Sequence, residues 1–303
     1  MSAGNIMLRA QFTKQFTSRL PFMDEIIYEN LDAPSLTYNQ VMNIRDSSRA
    51  YEEMLEITGF EQFVQKAEGE PVSYDKLLQG YSTRFTHDTF AKGYQISMEA
   101  QDDDFDGTIS EAAPALGRIA RNSIETKAFA VFNGAFDTTT SWDGAYLCAD
   151  SHTLVGGGTF DNLVASDISQ GAIEDAINIF DAMVDERNQL VNMEASILLI
   201  PPKLRWVTHE LLKSQLRSDT ANNAVNAINQ LGLKVVESKY LTDDDNWFLL
   251  ADPSQHRIMF YWRMQPRTDH TLDFDTGNAK TKMTMRFSTG AASWRGIVGG
   301  QGQ

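Results

Sequence analysis

Between Thr108 and Phe136 the chain repeats apolar residues at helical spacing, and no other feature narrows the fold as much. Leu116, Ile119, Ala120, Ile124, Ala128, Val131, Phe132 and Ala135 recur every three or four positions, which lines one face of a helix with 3.6 residues per turn. This predicts a helix of about 26 residues, roughly 40 Å long at about 1.5 Å per residue. Thr108-x-x-Glu111 has the form of a capping box, whose hydroxyl and carboxylate satisfy free backbone N–H groups. Pro114 falls in the first turns, where its missing N–H is tolerated. So long a helix in a chain of 303 residues reads as a spine for the elements around it.

Helices and strands alternate after the spine. Residues 137–165 carry Trp142, Cys148, His152 and Gly156-Gly157-Gly158, and the triple glycine reads as a flexible crossing loop. A helix with Ile173, Ala176, Ile177, Phe180 and Met183 on one face leads into the apolar strand Ala195–Ile200, ended by Pro201-Pro202. A second helix carries Leu204, Val207, Leu211 and Leu212. Strands are expected at Leu233–Ser238, Trp247–Ala251 and Arg257–Arg263. At Lys280–Phe287, alternation puts Thr281, Met283, Met285 and Phe287 on one side. Trp206, Trp247, Trp262 and Trp294 lie in apolar runs and are expected in the core or an interface. This order implies an α+β fold with a small mixed domain inserted at about 166–255.

Before the spine the pattern is weaker. Residues 1–50, broken by Pro21 and Pro34, read as an arm laid on another surface. Residues 51–66 fit helix or strand, and Ala67-Glu68-Gly69-Glu70-Pro71 is a turn. Val72 to Ser97 is rich in Tyr, Phe and Thr but scattered with charge, the pattern of a long polar hairpin that needs a partner surface for order.

Composition argues against several function classes. The formal net charge of −15 disfavours general nucleic-acid or membrane binding, which needs a basic face; the one basic segment holds Arg9, Lys14 and Arg19. Cys148 is the single cysteine, so no intrachain disulfide or cysteine metal cluster can form. No run reaches the ~18 apolar residues of a membrane span, and MSAGNIMLRAQFTKQF lacks the apolar core of a secretion signal, so a cytosolic origin is expected. Asp102-x-Asp104-x-Asp106-Gly107 resembles half of a calcium loop, but Ala113 stands where a bidentate Glu is required. An acidic approach to the positive end of the spine helix accounts for it better. Cys148 and His152 could form a thiol–imidazole pair, but no orienting residue or oxyanion donor accompanies them. No phosphate-binding, GxSxG or HExxH stretch occurs. The expectation is therefore no catalytic, cofactor-binding or metal-binding residue, and a Cys148→Ser change within about 1 kcal/mol if the thiol is partly exposed.

One set of blocks, spread over about 45–300, carries a resemblance in its order. They are Ser48-Arg-Ala-Tyr51, the turn ending at Pro71, Gly80-Tyr-Ser-Thr-Arg-Phe-Thr-His87 and Gly93-Tyr-Gln-Ile-Ser97. Next come Trp142-Asp-Gly144, Leu147-Cys-Ala-Asp-Ser-His152, Leu199-Ile-Pro-Pro202 and Glu210-Leu-Leu-Lys-Ser214. Trp247-Phe-Leu249, Phe274-Asp-Thr-Gly-Asn-Ala-Lys280 and Trp294-Arg-Gly-Ile297 complete the series. The chain resembles the major head subunits of Mu-like phages and prophages, within the Hong Kong 97-type capsid fold. The resemblance implies an N-terminal arm (1–50), an extension loop formed by a long β-hairpin (51–98), a peripheral domain with the spine helix (99–165), an axial domain (166–255), and peripheral and C-terminal strands (256–303).

By the same resemblance the protein is a structural subunit, not an enzyme. It would assemble with itself as pentamers and hexamers into an icosahedral shell around double-stranded DNA, touching the DNA weakly and non-specifically. Further implied partners are a separate scaffold or maturation protease, a portal and a decoration protein; no membrane is involved. Assembly would take place in the host bacterial cytoplasm, and the product would be the virion capsid. Two alternatives remain open on the residues: an encapsulin-like compartment shell, and a cytosolic hydrolase using Cys148 or a cation at Asp102–Asp106.

Overall fold

The computed structural model describes residues 23–32, 36–57, 59–60, 62–76, 79–97, 111–213, 228–273 and 275–302. In chain order these form helix α1 (23–32), strands β1 (Asn43–Asp46), β2 (Tyr51–Ile57), β3 (Gln79–Thr86) and β4 (Asp88–Ile96), and helix α2 (Ala112–Asn133). Strands β5 (His152–Thr153), β6 (Thr159–Phe160) and β7 (Leu163–Val164), helix α3 (Gln170–Asp181), strand β8 (Ala195–Ile200) and helix α4 (Arg205–Lys213) follow. Strands β9 (Lys234–Glu237), β10 (Trp247–Ala251), β11 (Ile258–Leu272), β12 (Ala279–Ala291) and β13 (Ile297–Gly300) complete the α+β order.

The predicted spine is α2, with 22 residues and Pro114 in its first turn. Thr108 of the expected capping box lies outside the described residues. Leu116, Ala120, Ile124, Ala128, Val131, Phe132 and Ala135 are buried as expected, but Ile119 is 50% exposed. At about 100° per residue Ile119 falls well away from the stripe its neighbours make. The helix stops where Thr138 and Thr139 donate their N–H groups back to the Gly134 carbonyl, at 2.9 and 2.6 Å. The Asn133 side chain then bridges to Tyr240 O and Thr242 N.

The chain divides into two compact units, one from residues 1–36, 87–126 and 262–287, the other from 37–86, 127–261 and 288–303. In the first unit β4 pairs antiparallel with β12, from Ala279↔Ile96 to Phe287↔Asp88. Phe90 stacks on Phe287 at 4.6 Å, and Trp262 meets Phe287 edge-on at 5.3 Å. Thr281, Met283, Met285 and Phe287 are all buried, as their alternation predicts. Helix α1 is tied to β11 through Asp24, which accepts from Thr268 Oγ1 at 2.5 Å and lies 2.9 Å from His270 Nε2.

The second unit is built on a five-stranded sheet in the order β7-β13-β10-β8-β9. On one face Ile173, Ala176, Phe180 and Met183 from α3 and the turn after it pack against Leu198, Ile200, Leu249, Ala251 and Val298. On the other, Phe132 and Phe136 lie against Phe248 at 5.6 and 5.5 Å. Burial on both faces explains why β8 and β10 read as continuous apolar runs. Ser169 caps α3 by accepting from Ala172 N–H. Trp206 on α4 lies outside the core, 76% exposed, so of the two expected settings the core does not apply to it.

Two partitions drawn from the sequence do not follow the strands. The antiparallel ladder is β2 with β3, Tyr51↔Thr86 to Ile57↔Gln79, so the hairpin ends before residue 87 and β4 belongs to another sheet. Phe90, paired opposite Met285, supplies the apolar contact that draws β4 away. Likewise β13, placed outside the 166–255 stretch, sits between β7 and β10, with Trp247↔Gly300 and Leu250↔Ile297 in register. The glycines that hide this strand from a propensity reading are required by it. A Cβ on Gly299 would come within 2.6 Å of Cys148 Sγ, and one on Gly300 would overlap the Trp247 indole, a close backbone approach. Gly300→Ala should therefore lower stability by about 2 kcal/mol or more through overpacking. Gly171→Ala, in the exposed first turn of α3 with open space around it, should raise it by about 0.5–1 kcal/mol. Urea unfolding midpoints of the two variants check both signs.

Candidate functional site

The β2–β3 ribbon carries a long connection whose described residues, 59–60 and 62–76, lie outside helix and strand. Its turn is the expected one, with Gly69 at φ +85° and Glu70 N–H donating to Ala67 O. The connection presents aromatic and aliphatic side chains to solvent: Phe63 fully, Tyr74 at 92% exposure, and Phe60, Val64 and Val72 largely. A clip holds its ends. Arg187 Nη1 pairs with Asp75 at 3.0 Å, Arg187 Nη2 donates to Lys76 O, and Gln189 donates to Phe60 O. At the root Phe85 packs with Met259, Tyr261 and Ala292, its ring 5.3 Å from that of Tyr261.

Arg295 anchors the end of β2 that leads into the connection. Its Nη1 meets Glu56 Oε1 at 2.9 Å, its Nη2 meets Glu186 Oε1 at 2.8 Å, and its Nε donates to Val184 O at 2.7 Å. The guanidinium lies 4.7 Å from the Trp294 ring centre and 5.6 Å from that of Trp142, a geometry suited to cation–π attraction. Burial, with Glu186 opposing the pull of Arg295, pushes the Glu56 carboxyl up to about 8.

Beside this cluster a second buried network forms around Asn162. Its amide donates to Leu147 O and Ile297 O, and its oxygen accepts from Ala149 N–H. That pattern fixes the amide's orientation, so His152 Nε2, 3.1 Å from Asn162 Oδ1, acts as donor. His152 Nδ1 lies 2.7 Å from Asp143 Oδ2, and the ring stacks on Trp294 at 4.7 Å. The Trp142-Asp-Gly, Leu147–His152 and Trp294-Arg-Gly blocks, apart in sequence, thus converge in one place. Neither Asn162 nor Glu186 had any sequence signal, because each sits in a short polar stretch without periodicity.

The thiol–imidazole reading of Cys148 and His152 is not what the structure holds. Both His152 nitrogens are engaged elsewhere, and Cys148 is 2% exposed beside Gly299, where burial pushes its thiol far up. The triple glycine is a tight turn of the β5–β6 hairpin, not a crossing loop. Leu154 N–H donates to Gly158 O, Gly156 N–H to Glu186 O, and Gly157 and Gly158 sit at φ +91° and +96°, angles open to glycine. Asp102, Asp104 and Asp106 lie outside the described residues. Among the described residues no group of three or more His, Cys, Asp or Glu is placed to hold a metal ion.

Two stability outcomes follow. Because Cys148 is fully enclosed, the condition of partial exposure fails, and Cys148→Ser should cost about 1–3 kcal/mol for an unpaired hydroxyl; denaturant unfolding measures it. Burial lowers the His256 imidazole to about 4. The unfolded chain therefore takes up that proton first, and stability present above the unfolded value of 6.5 is lost as pH falls toward 4. The loss is about 3 kcal/mol, and thermal melts should show a shallower acid slope for His256→Gln.

A family model described as phage capsid protein matches residues 80–299. No curated protein matches the chain. Solved structures similar to it include the capsid of cyanophage P-SCSP1u, with 10% identity over 89% of this chain and 88% of that one at a TM-score of 0.63. The bacteriophage JBD30 capsid gives 15% identity over 70% and 92% at a TM-score of 0.58. The capsid of Myoviridae phage XM1 gives 12% over 89% and 92% at 0.56. The chain belongs to the phage capsid protein family and is built on the Hong Kong 97-type capsid fold.

Proposed function

We propose that this protein is the repeating subunit of a Mu-like phage or prophage head, closing rings of five and six copies into an icosahedral shell around double-stranded DNA. The exposed connection between β2 and β3 carries this reading. Its solvent-facing Phe60, Phe63, Val64, Val72 and Tyr74 form more apolar surface than a segment with so little packing of its own keeps without a partner. The natural partner is the neighbouring subunit, and residues 51–86 then serve as the extension loop. In the same assignment 1–50 is the arm, the unit holding 87–126 and 262–287 is the peripheral domain, and the five-stranded sheet with α3 and α4 is the axial domain.

The protein acts through many weak contacts and not through catalysis. A separate scaffold or maturation protease, a portal and a decoration protein complete the head in the host cytoplasm. The packaged DNA is held weakly, consistent with the net charge of −15.

Replacing residues 59–76 with a short Gly/Ser linker should leave the subunit folded, with native helix content by circular dichroism. Shell formation by electron microscopy should be lost, stopping at small oligomers. Normal shells from this variant would remove the connection from the assembly contacts. Nucleic acid in the wild-type particles separates a genome shell from an enzyme-storing compartment.

A further inference from the structure

The end of the β2–β3 ladder beside the connection holds an unequal number of charges away from water. Arg295 brings one guanidinium to two carboxyl groups, Glu56 on β2 and Glu186 in the turn after α3, and all three residues are buried. Glu186 has a donor on each oxygen, Arg295 Nη2 on Oε1 and Val155 N–H on Oε2. Glu56 has Arg295 on Oε1, while its Oε2 is buried without a donor. Arg257, 5.4 Å from the Trp142 ring centre, is the other cation facing Glu56. On β3 the Tyr81 phenol is held above its ordinary value by burial and then by Glu186, Asp143 and Glu56, so the remaining charged surroundings are acidic. A second buried negative charge here would be costly, because paired carboxylates sharing one cation cannot both ionise cheaply.

The backbone makes this position a joint. The β2–β3 register shifts between Leu55 and Ile57, where Glu56 alone on β2 faces both Gly80 and Tyr81 on β3; the extra residue of this bulge lies on β3, which bends there opposite the carboxyl. Across the ribbon Gly80 leaves the space that the carboxyl fills; a Cβ there would lie 3.3 Å from Glu56 Cβ and Oε2.

We infer that Glu56, Arg295 and Glu186 form a proton-operated latch where the β2–β3 ladder meets its connection, closed when Glu56 carries a proton on Oε2 and released when that proton passes to the solvent. The latch belongs to the single subunit and stands apart from what the hairpin docks on. A carboxyl held above its ordinary value binds its proton more tightly in the folded chain than in the unfolded one. This end of the ladder is therefore most secure at low pH and loosens as pH rises from about 4.5 through about 8.

Amide exchange of the full chain, corrected for the intrinsic pH dependence of exchange, tests this. Between pH 6 and pH 9 protection of residues 51–57 and 79–86 should fall tenfold or more, while β8 and β10 keep theirs. Glu56→Gln, which retains the acceptor for Arg295 and cannot ionise, should stay protected at pH 9. Glu186→Gln should move the wild-type transition to lower pH and reduce its size, since removing the competing anion lets the Glu56 carboxyl fall toward its ordinary range beside Arg295. Infrared spectra of the wild type give a readout that needs no variant: a protonated-carboxyl C=O band at pH 6 should vanish with the same midpoint as protection. Hairpin protection independent of pH, an unchanged profile in Glu56→Gln, or the absence of that band would each overturn the latch.

Discussion

A sheet that is apolar on both faces has to be covered on both, and this requirement organises the larger unit. Helix α3 meets one face, and the aromatic end of α2 with Phe136 meets the other. The strands that carry the site residues are placed by the same closure. Asn162 stands just before β7 and Arg295 just before β13, and the parallel β7–β13 pairing, with Gly299 N–H on Asn162 O, brings them to one end of the sheet. The anchor of the hairpin is in that sense a product of core packing. Its charges are fixed because the strands behind them cannot shift without exposing Trp247 or Phe248.

The elements that could be read from the chain are those with one strong period. The spine helix, the apolar strands at 195–200 and 247–251, and the alternating strand ending near Phe287 all came through with bounds close to those observed. What could not be read depends on distant partners. In Ile297-Val-Gly-Gly300 the two glycines break off the strand pattern that Ile297 and Val298 begin, because they answer to Cys148, Phe136 and Trp247 from elsewhere in the chain. Nor does local pattern say that β4 leaves the hairpin for β12, since its neighbours in sequence are equally rich in Tyr, Phe and Thr. Of the candidate chemistry, His152 was visible as a residue but paired with the wrong neighbour; its partners Asp143 and Asn162 lie nine and ten positions away on either side.

The balance between cohesion and repulsion differs sharply between the two ends of the hairpin. Along the paired strands, aromatic packing at Phe85 and the buried ion cluster at Glu56 hold the ribbon to its own subunit. Toward the connection, order rests on the Arg187 and Gln189 clip at the surface, and solvent-exposed ion pairs contribute only about 0–1 kcal/mol each. A segment held this lightly can exchange its own contacts for another copy's at little cost, while the overall negative charge keeps any single such exchange weak.

Strand β13 carries a consequence for biosynthesis. Both neighbours that it joins, β7 and β10, are made before it, so until residue 297 emerges they face each other across an empty slot with unpaired backbone groups. Such edges invite pairing with foreign strands, and the two apolar covers have nothing continuous to close upon. Translation is vectorial, and domains generally fold as units once their parts are present. A polypeptide that stalls before this strand therefore cannot complete the unit, and the cell meets it as a substrate for chaperones and proteases. The unit thus closes only after this one short glycine-containing strand has been made.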